Sequence, residues 1–374
     1  MSELYIGLMS GTSLDGIDAA LVNFDGDAIE LVDFLYAPFS DPIKKSIKNI
    51  SQADRPILLS QYGSLDTQLG ELFAKSAQQL LNKAATPHSA VTAIGSHGQT
   101  VYHAPNLTSP FSLQIGDPNI IAELTGITTV ADFRRRDVAA KGQGAPLVPA
   151  FHQAIFSGIF DLSQQSVSIV NIGGIANISH LTEHNVLGFD TGPGNTLMDE
   201  WTQKHMNQSY DERGAWAKSG NADSRLVKHF KNDPYFTSEP PKSTGKEYFS
   251  MGWLESKLVD FHQCTAKDIQ ASLCQLTADT ISQAIQSHAP LTEHTVICGG
   301  GVHNEHLMQL ISNTLQHPVS STAEYGINPD HVEAIAFAWL ARQTLHNLPG
   351  NLTQVTGARK PVILGGIYPG EKGY

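Results

Sequence analysis

Residues 4–24 read LYIGLMSGTSLDGIDAALVNF. Two apolar runs, 4–9 and 17–24, flank a turn made of Ser10, Gly11, Thr12, Ser13, Leu14, Asp15 and Gly16. The runs are short and rich in β-formers, and small polar residues separate them. That pattern predicts a β-hairpin with a wide tip. Gly11 and Gly16 tolerate positive φ, which lets backbone N–H groups converge. Thr12 and Ser13 add hydroxyl donors. Such a tip suits phosphate oxygens, and Asp15 or Asp18 can face a phosphate-bound Mg²⁺, directly or through water. The same residues also suit an ordinary solvated hairpin. A second hairpin of similar build, far along the chain, weighs against that plainer reading.

The second hairpin lies in 166–181, SVSIVNIGGIANISHL, with β runs at 167–172 and 175–181 around Gly173-Gly174. A strand over 186–189 then ends in Asp190-Thr191-Gly192-Pro193-Gly194-Asn195, and a helix over 196–206 takes Asn195 as its N-cap.

Between the hairpins, a strand is predicted over 28–37 and helices over 41–50 and 61–85. A short strand at 91–94 runs into the loop Gly95-Ser96-His97-Gly98-Gln99-Thr100. Further strands follow at 111–115 and 128–131, with a helix over 119–125 stopped by Gly126. The stretch 139–149, AAKGQGAPLVP, reads as the crossing between two halves.

Later, 209–241 is polar and irregular, with a helix at 224–231. Helices over 273–287, 304–316 and 331–346 and strands at 295–298 and 361–366 complete the chain. The order of elements repeats, so the expectation is an α/β protein of two related halves with a cleft between them.

The chain has 374 residues, 41% of them apolar, which is enough for two domains with full cores. Lys and Arg number 24 against 36 Asp and Glu, a net charge of −12. That balance argues against a nucleic-acid backbone as partner. Three cysteines without a CxxC pair argue against a disulfide framework or a zinc site. There is no signal-peptide pattern, and no run approaches the roughly 18 apolar residues of a membrane span. A soluble, cytoplasmic protein without a membrane partner is expected.

The chain has no Walker A motif. The nearest match, Ser243-Thr244-Gly245-Lys246, lacks the earlier glycine and the following Ser or Thr. A nucleotide would instead be gripped by the two glycine-tipped hairpins. Gly299, Gly300 and Gly301 follow a strand and offer a side-chain-free surface for purine and ribose, or a tight turn into the next helix.

Asp190, before a Gly-Pro-Gly turn and a helix start, is the candidate catalytic carboxylate. It can accept a proton or hold Mg²⁺, or it can merely stabilise the turn. Arg134, Arg135 and Arg136 include a candidate for bidentate binding of a carboxylate or phosphate. Asp132 can pair with one of them. Among 16 histidines, His303 and His306 lack a third ligand at metal spacing, while His97 sits in a glycine-flanked loop. Glu333 opens a helix, where it complements the dipole or reaches the cleft.

These residues resemble the anhydro-N-acetylmuramic acid kinases. The matching blocks are GLMSGTSLDGIDAAL at 7–21, SHGQT at 96–100, DFR at 132–134, GQGAPLVP at 142–149, NIGGIANI at 171–178, FDTGPGN at 189–195, CGGGVHN at 298–304 and EAIAFAWLA at 333–341. Lys141 departs from the family, which usually carries another glycine there.

The resemblance implies an actin/hexokinase/Hsp70-like fold of two ribonuclease-H-like domains with an ATP cleft between them. The first domain would be 1–135, with a strand at about 360–368 returning to it, and the second 136–358. It implies that Gly11, Thr12, Ser13, Leu14, Asp15, Gly16, Ile17, Asp18, Gly173, Gly174 and Asn177 bind the phosphates of ATP, with Gly299, Gly300 and Gly301 at the adenosine. Mg²⁺ would be met by Asp15 and Asp18. Asp190 would be the base, and His97, Arg134, Arg136 and Glu333 would bind 1,6-anhydro-N-acetylmuramic acid.

The implied reaction opens the anhydro bridge with water and phosphorylates O6, giving N-acetylmuramic acid 6-phosphate and ADP in cell-wall sugar recycling. A homodimer is implied. The alternatives are a plain sugar kinase of the same fold and a nucleotide-switched interaction protein.

Overall fold

The computed structural model describes residues 2–11, 14–26, 28–51, 56–246 and 248–371. The chain forms two compact units, Met1–Gly158 with His331–Tyr374, and Ile159–Asp330. In chain order the strands are β1 (Ser2–Ser10), β2 (Gly16–Asp25), β3 (Ala28–Pro38), β4 (Val91–Ala104), β5 (Phe111–Ile115), β6 (Thr129–Ala131), β7 (Val167–Ile172), β8 (Ile175–Leu181), β9 (Val186–Pro193), β10 (His294–Cys298), β11 (Val319–Ser321) and β12 (Gly366–Tyr368).

In the first unit the sheet order is β12-β6-β4-β1-β2-β3, with β5 paired to β4. β1, β2 and β3 are antiparallel, whereas β4 runs parallel to β1 and β6 parallel to β4. In the second unit the order is β11-β10-β7-β8-β9, with the same pattern of directions. Each unit thus carries an antiparallel three-strand meander extended by two parallel strands. This is the ribonuclease-H-like order, present twice.

The sequence explains how each sheet is covered. From Tyr5 to Ser10 every residue of β1 is buried, as befits a central strand packed on both faces. Ile6, Leu8, Leu69, Phe73 and Leu80 share one core, so the amphipathic helix Leu59–Lys83 covers one face. The helix Val332–Leu345 lies on β1 and β4 at two glycines. A Cβ on Gly7 would stand 1.8 Å from Ala334 O, and one on Gly95 would stand 2.0 Å from Phe337 O. Glycine inside a strand here marks close approach of another backbone. In the second unit Ile172, Ile178 and Phe189 pack with Leu273, Leu276 and Ile281 of the helix Ala266–His288.

That packing moves the domain boundary away from the expected one. Helix Val332–Leu345 belongs to the first unit because Gly7 and Gly95 seat it. The helix Val148–Phe156 joins it there, with Phe151 against Trp339 at 5.9 Å between ring centroids. The glycine- and proline-rich stretch 139–149 therefore lies inside the first unit, and the second runs over 159–330 rather than 136–358.

Two strands also differ. Gly95–Thr100 reads as a loop in the sequence but lies within β4. Ser96 pairs with Leu8 and Gln99 with Ser10 on β1, while Gln99 also faces Ile115 of β5, so ladders on both sides keep it extended. The last strand is Gly366–Tyr368, paired antiparallel to β6, rather than 361–366. No helix among the described residues is long and apolar enough to cross a membrane.

Candidate active site

In the first unit, the base of the first hairpin is tied to β4. Ser10 Oγ donates to Gln99 Oε1 at 2.7 Å, and Gln99 Nε2 reaches Gly11 O at 3.4 Å. Gly16 is closely packed, since a Cβ there would meet Ala37 O at 2.3 Å. Leu14 is half-buried at positive φ, with its N–H on Gly11 O at 3.3 Å. Ile17 is buried, Asp15 is exposed and Asp18 is half-buried. Thr12 and Ser13 lie outside the described residues.

His97 is buried on β4, beneath Phe337 at 4.6 Å. Its Nδ1 lies 3.3 Å from Ser10 O, which can only accept, so Nδ1 carries the proton. Nε2 then accepts from Arg134, at 2.9 Å from Nη2 and 3.2 Å from Nε. Burial, with the Arg134 charge beside it, pushes the His97 pKa down to about 3. The imidazole is therefore neutral and holds Arg134 by its lone pair.

Arg134 Nη1 donates to Gly144 O at 2.8 Å. Arg135 is instead paired with Asp132 at 2.8 Å, and Arg136 is exposed. Glu333 is half-buried in the first turn of the helix Val332–Leu345.

In the second unit, β9 runs on to Pro193, so Asp190 lies inside the strand rather than after its end. Ala176 pairs with Gly192 and Asn177 with Asp190, which leaves Thr191 as an extra residue. A bulge of this kind re-aims the neighbouring side chain. The Asp190 carboxylate is buried and its Oδ2 accepts the Thr244 N–H at 2.9 Å. Its backbone is fixed as well: its N–H donates to Lys242 O at 3.1 Å, and Tyr235 Oη donates to its carbonyl at 2.7 Å. Burial, then the Asp190 charge, pushes the Tyr235 phenol well above its ordinary range, so it remains a donor.

Lys242 Nζ sits 4.9 Å from the Tyr235 ring centroid and 5.6 Å from that of Phe189. Burial lowers its pKa against the opposing pull of Glu239 and Asp190. Asp233 anchors the same segment. Burial would raise its pKa, but hydrogen bonds from Trp253 and Tyr248 prevail and hold it low.

Beside Asp190 the chain makes a cradle of bare backbone. Gly194, Asn195 and Thr196 donate their N–H groups to the carbonyls of Gly174, Gly173 and Gly174. Asn195 stands at the helix start, but the expected side-chain cap bond is not made; its Nδ2 instead donates to Ile172 O at 3.2 Å and ties the helix start to the hairpin. A Cβ on Gly194 would meet Gly173 O at 2.3 Å, and one on Gly301 would meet Ile172 Cγ2 at 2.3 Å. Gly299 has φ +79° and packs on Asn171. Around Gly300, by contrast, the nearest such atom is 3.9 Å away, which leaves its backbone open to a ligand. The structure therefore gathers Gly173, Gly174 and Gly299–Gly301 at one place.

A family model described as anhydro-N-acetylmuramic acid kinase matches residues 3–370. The chain belongs to the anhydro-N-acetylmuramic acid kinase family. Two relatives of that name, from Pasteurella multocida and Vibrio cholerae, are each 48% identical; the first match covers 98% of this chain and 97% of the relative, the second 98% of both. Among solved structures, component A of (R)-2-hydroxyglutaryl-CoA dehydratase from Acidaminococcus fermentans is 11% identical, with TM-score 0.49 over 90% of this chain and 96% of that one. Membership of the kinase family makes the chain a phosphotransferase.

Sequence reasoning passed over two groups in this kinase. Thr244 was weighed only as part of a failed Walker match, yet its N–H holds Asp190. Asp137 is fully buried and accepts from Gly144 N–H at 2.8 Å, Asn351 Nδ2 at 2.6 Å and Thr356 Oγ1 at 2.7 Å. It fixes the turn whose Gly144 carbonyl receives Arg134. Glycine at 142 is what lets the turn close on it, since a Cβ there would stand 2.1 Å from the Asp137 carboxylate. Among the described residues no group of three or more His, Cys, Asp or Glu forms a metal cluster.

Proposed function

We propose that the chain transfers the γ-phosphoryl group of ATP to O6 of 1,6-anhydro-N-acetylmuramic acid while water opens the anhydro bridge. Asp190 serves as the base. The observation that carries this reading is the seating of Asp190. A buried carboxylate accepts the Thr244 N–H, its own backbone is fixed by Tyr235 and Lys242, and it lies beside a cradle of bare backbone. That combination suits a proton acceptor next to a phosphate site.

The step balances as follows. Water oxygen bonds to C1 and gives one proton to Asp190, keeping the other as the anomeric hydroxyl. The C1–O6 bond breaks with its electron pair on O6. O6 bonds to the γ-phosphorus, and the bond to the β,γ-bridging oxygen breaks with its pair on ADP. Asp190 thus acts on water as the base of an inverting glycosidase does. The transfer itself needs alignment more than covalent help.

Gly173 and Gly174 with the first hairpin would take the phosphates, and Gly299–Gly301 the adenosine. Mg²⁺, when bound with the nucleotide, neutralises phosphate charge. Asp15 and Asp18 are hard oxygen donors of the kind it accepts, directly or through water. Arg134, pre-set by His97 and Gly144, pairs with the lactyl carboxylate of the sugar, with Arg136 and Glu333 as further contacts. The test is acceptor choice. With ATP, the anhydro sugar should be phosphorylated and free N-acetylmuramic acid should not; the reverse preference would mark a plain sugar kinase.

A further inference from the structure

Asn177 stands directly opposite Asp190 on β8. Directly paired residues of neighbouring strands share a face, with Cβ atoms about 5 Å apart. Asn177 Oδ1 is buried and has no hydrogen-bond partner among the described residues. Thr244 Oγ1 is in the same position, in the residue whose N–H holds Asp190 Oδ2. Buried polar atoms left without partners are uncommon and ask for an explanation. Here both belong to immediate neighbours of one carboxylate, Asn177 across the strand pair and Thr244 through its N–H.

We infer that Asp190, Asn177 and Thr244 together form the seat of the attacking water. This rests on the hydrolytic reading above. Water has two protons and two lone pairs. One proton goes to Asp190 and the second to Asn177 Oδ1. The Thr244 hydroxyl donates to one lone pair, which leaves the other aimed at C1. Asn177 and Thr244 are positioning residues for the water, and Asp190 remains the base. Asn177 is thereby assigned to the water rather than to the nucleotide phosphates.

The seat explains why water would be selected over other alcohols. Methanol has a single O–H and cannot satisfy Asp190 and Asn177 at once. Admitting it would leave a buried acceptor unpaired, the kind of penalty that gives strong discrimination.

The experiment is partition between water and methanol in a mixed solvent, with ATP and the anhydro sugar, read by product mass. Wild type should yield only the water adduct, labelled when the water is ¹⁸O-enriched. Asn177→Ala removes the acceptor and makes room, so the methyl glycoside 6-phosphate should appear, with ADP binding unchanged. Thr244→Val should lower kcat about tenfold, the worth of one neutral hydrogen bond. Thr244→Ser should restore it.

Wild-type partition in Asn177→Ala overturns the inference, and so does weakened ADP binding with unchanged partition. If Asn177→Ala and Asn177→Ser both fail to fold, the threonine pair decides, and wild-type kcat in Thr244→Val overturns it. Absence of ¹⁸O from the wild-type product would instead sink the hydrolytic reading itself.

Discussion

His97 Nε2 accepts hydrogen bonds from Arg134, at 2.9 Å from Nη2 and 3.2 Å from Nε. The pair joins the base of the first hairpin to the arginine proposed for the sugar, because the other ring nitrogen donates to Ser10 O. His97→Ala should raise KM for the anhydro sugar on the order of tenfold, as expected for losing a hydrogen bond to a charged group. KM for ATP should hold. Arg134→Ala should do more. Arg134→Ala should no longer discriminate against 1,6-anhydro-N-acetylglucosamine, which lacks the lactyl carboxylate, and His97→Ala should discriminate less than wild type. Steady-state kinetics with both sugars checks this. A carboxylate preference that survives in Arg134→Ala removes Arg134 from the role.

The buried histidines of the first unit set a direction for pH. Burial pushes His97 and His152 from the ordinary value of 6.5 down to about 3, and His103 to about 4. Below pH 6.5 the unfolded chain takes up protons that the native chain refuses. Stability should therefore be full above that pH and fall as the pH drops toward the native values. The limiting slope is about 1.4 kcal/mol per pH unit for each such histidine. Urea midpoints at pH 7, 6 and 5 measure it, and His97→Gln should flatten the slope. Midpoints that do not move between pH 7 and 5 would contradict the burial argument.

Asp190→Asn keeps an oxygen to accept the Thr244 N–H but removes the base. Turnover should vanish while nucleotide binding, measured by calorimetry, stays near wild type. Near-normal product formation would take Asp190 out of the reaction.

Glycines test the packing. Gly95→Ala places a methyl 2.0 Å from Phe337 O, so it should cost about 1–3 kcal/mol, the range for overpacking. Gly63 lies in the helix Leu59–Lys83 with nothing near its would-be Cβ, so Gly63→Ala should stabilise by up to about 1 kcal/mol. Equal effects at the two positions would mean that the helix Val332–Leu345 does not lie where described.

The periodicities and glycine turns carried most of the architecture. Both hairpins, the helix Leu59–Lys83 and the Gly126 stop at φ +69° appear at or near their expected places. Local patterns failed where partners distant in sequence decide. Gly95–Thr100 looks like a loop because its residues are small and polar, but β1 and β5 hold it as strand. Asp190 looked like a strand end because Gly192 and Pro193 follow it, and the bulge at Thr191 could not be seen without the register of β8. The domain boundary was missed because Gly7 and Gly95 bind a helix more than two hundred residues away.

The most direct test is one reaction in ¹⁸O-enriched water with ATP and 1,6-anhydro-N-acetylmuramic acid, sampled before the anomeric hydroxyl exchanges. The account predicts a product that has gained phosphate plus water, with the label on the anomeric carbon. A product heavier by phosphate alone, with its anhydro bridge intact, would contradict it.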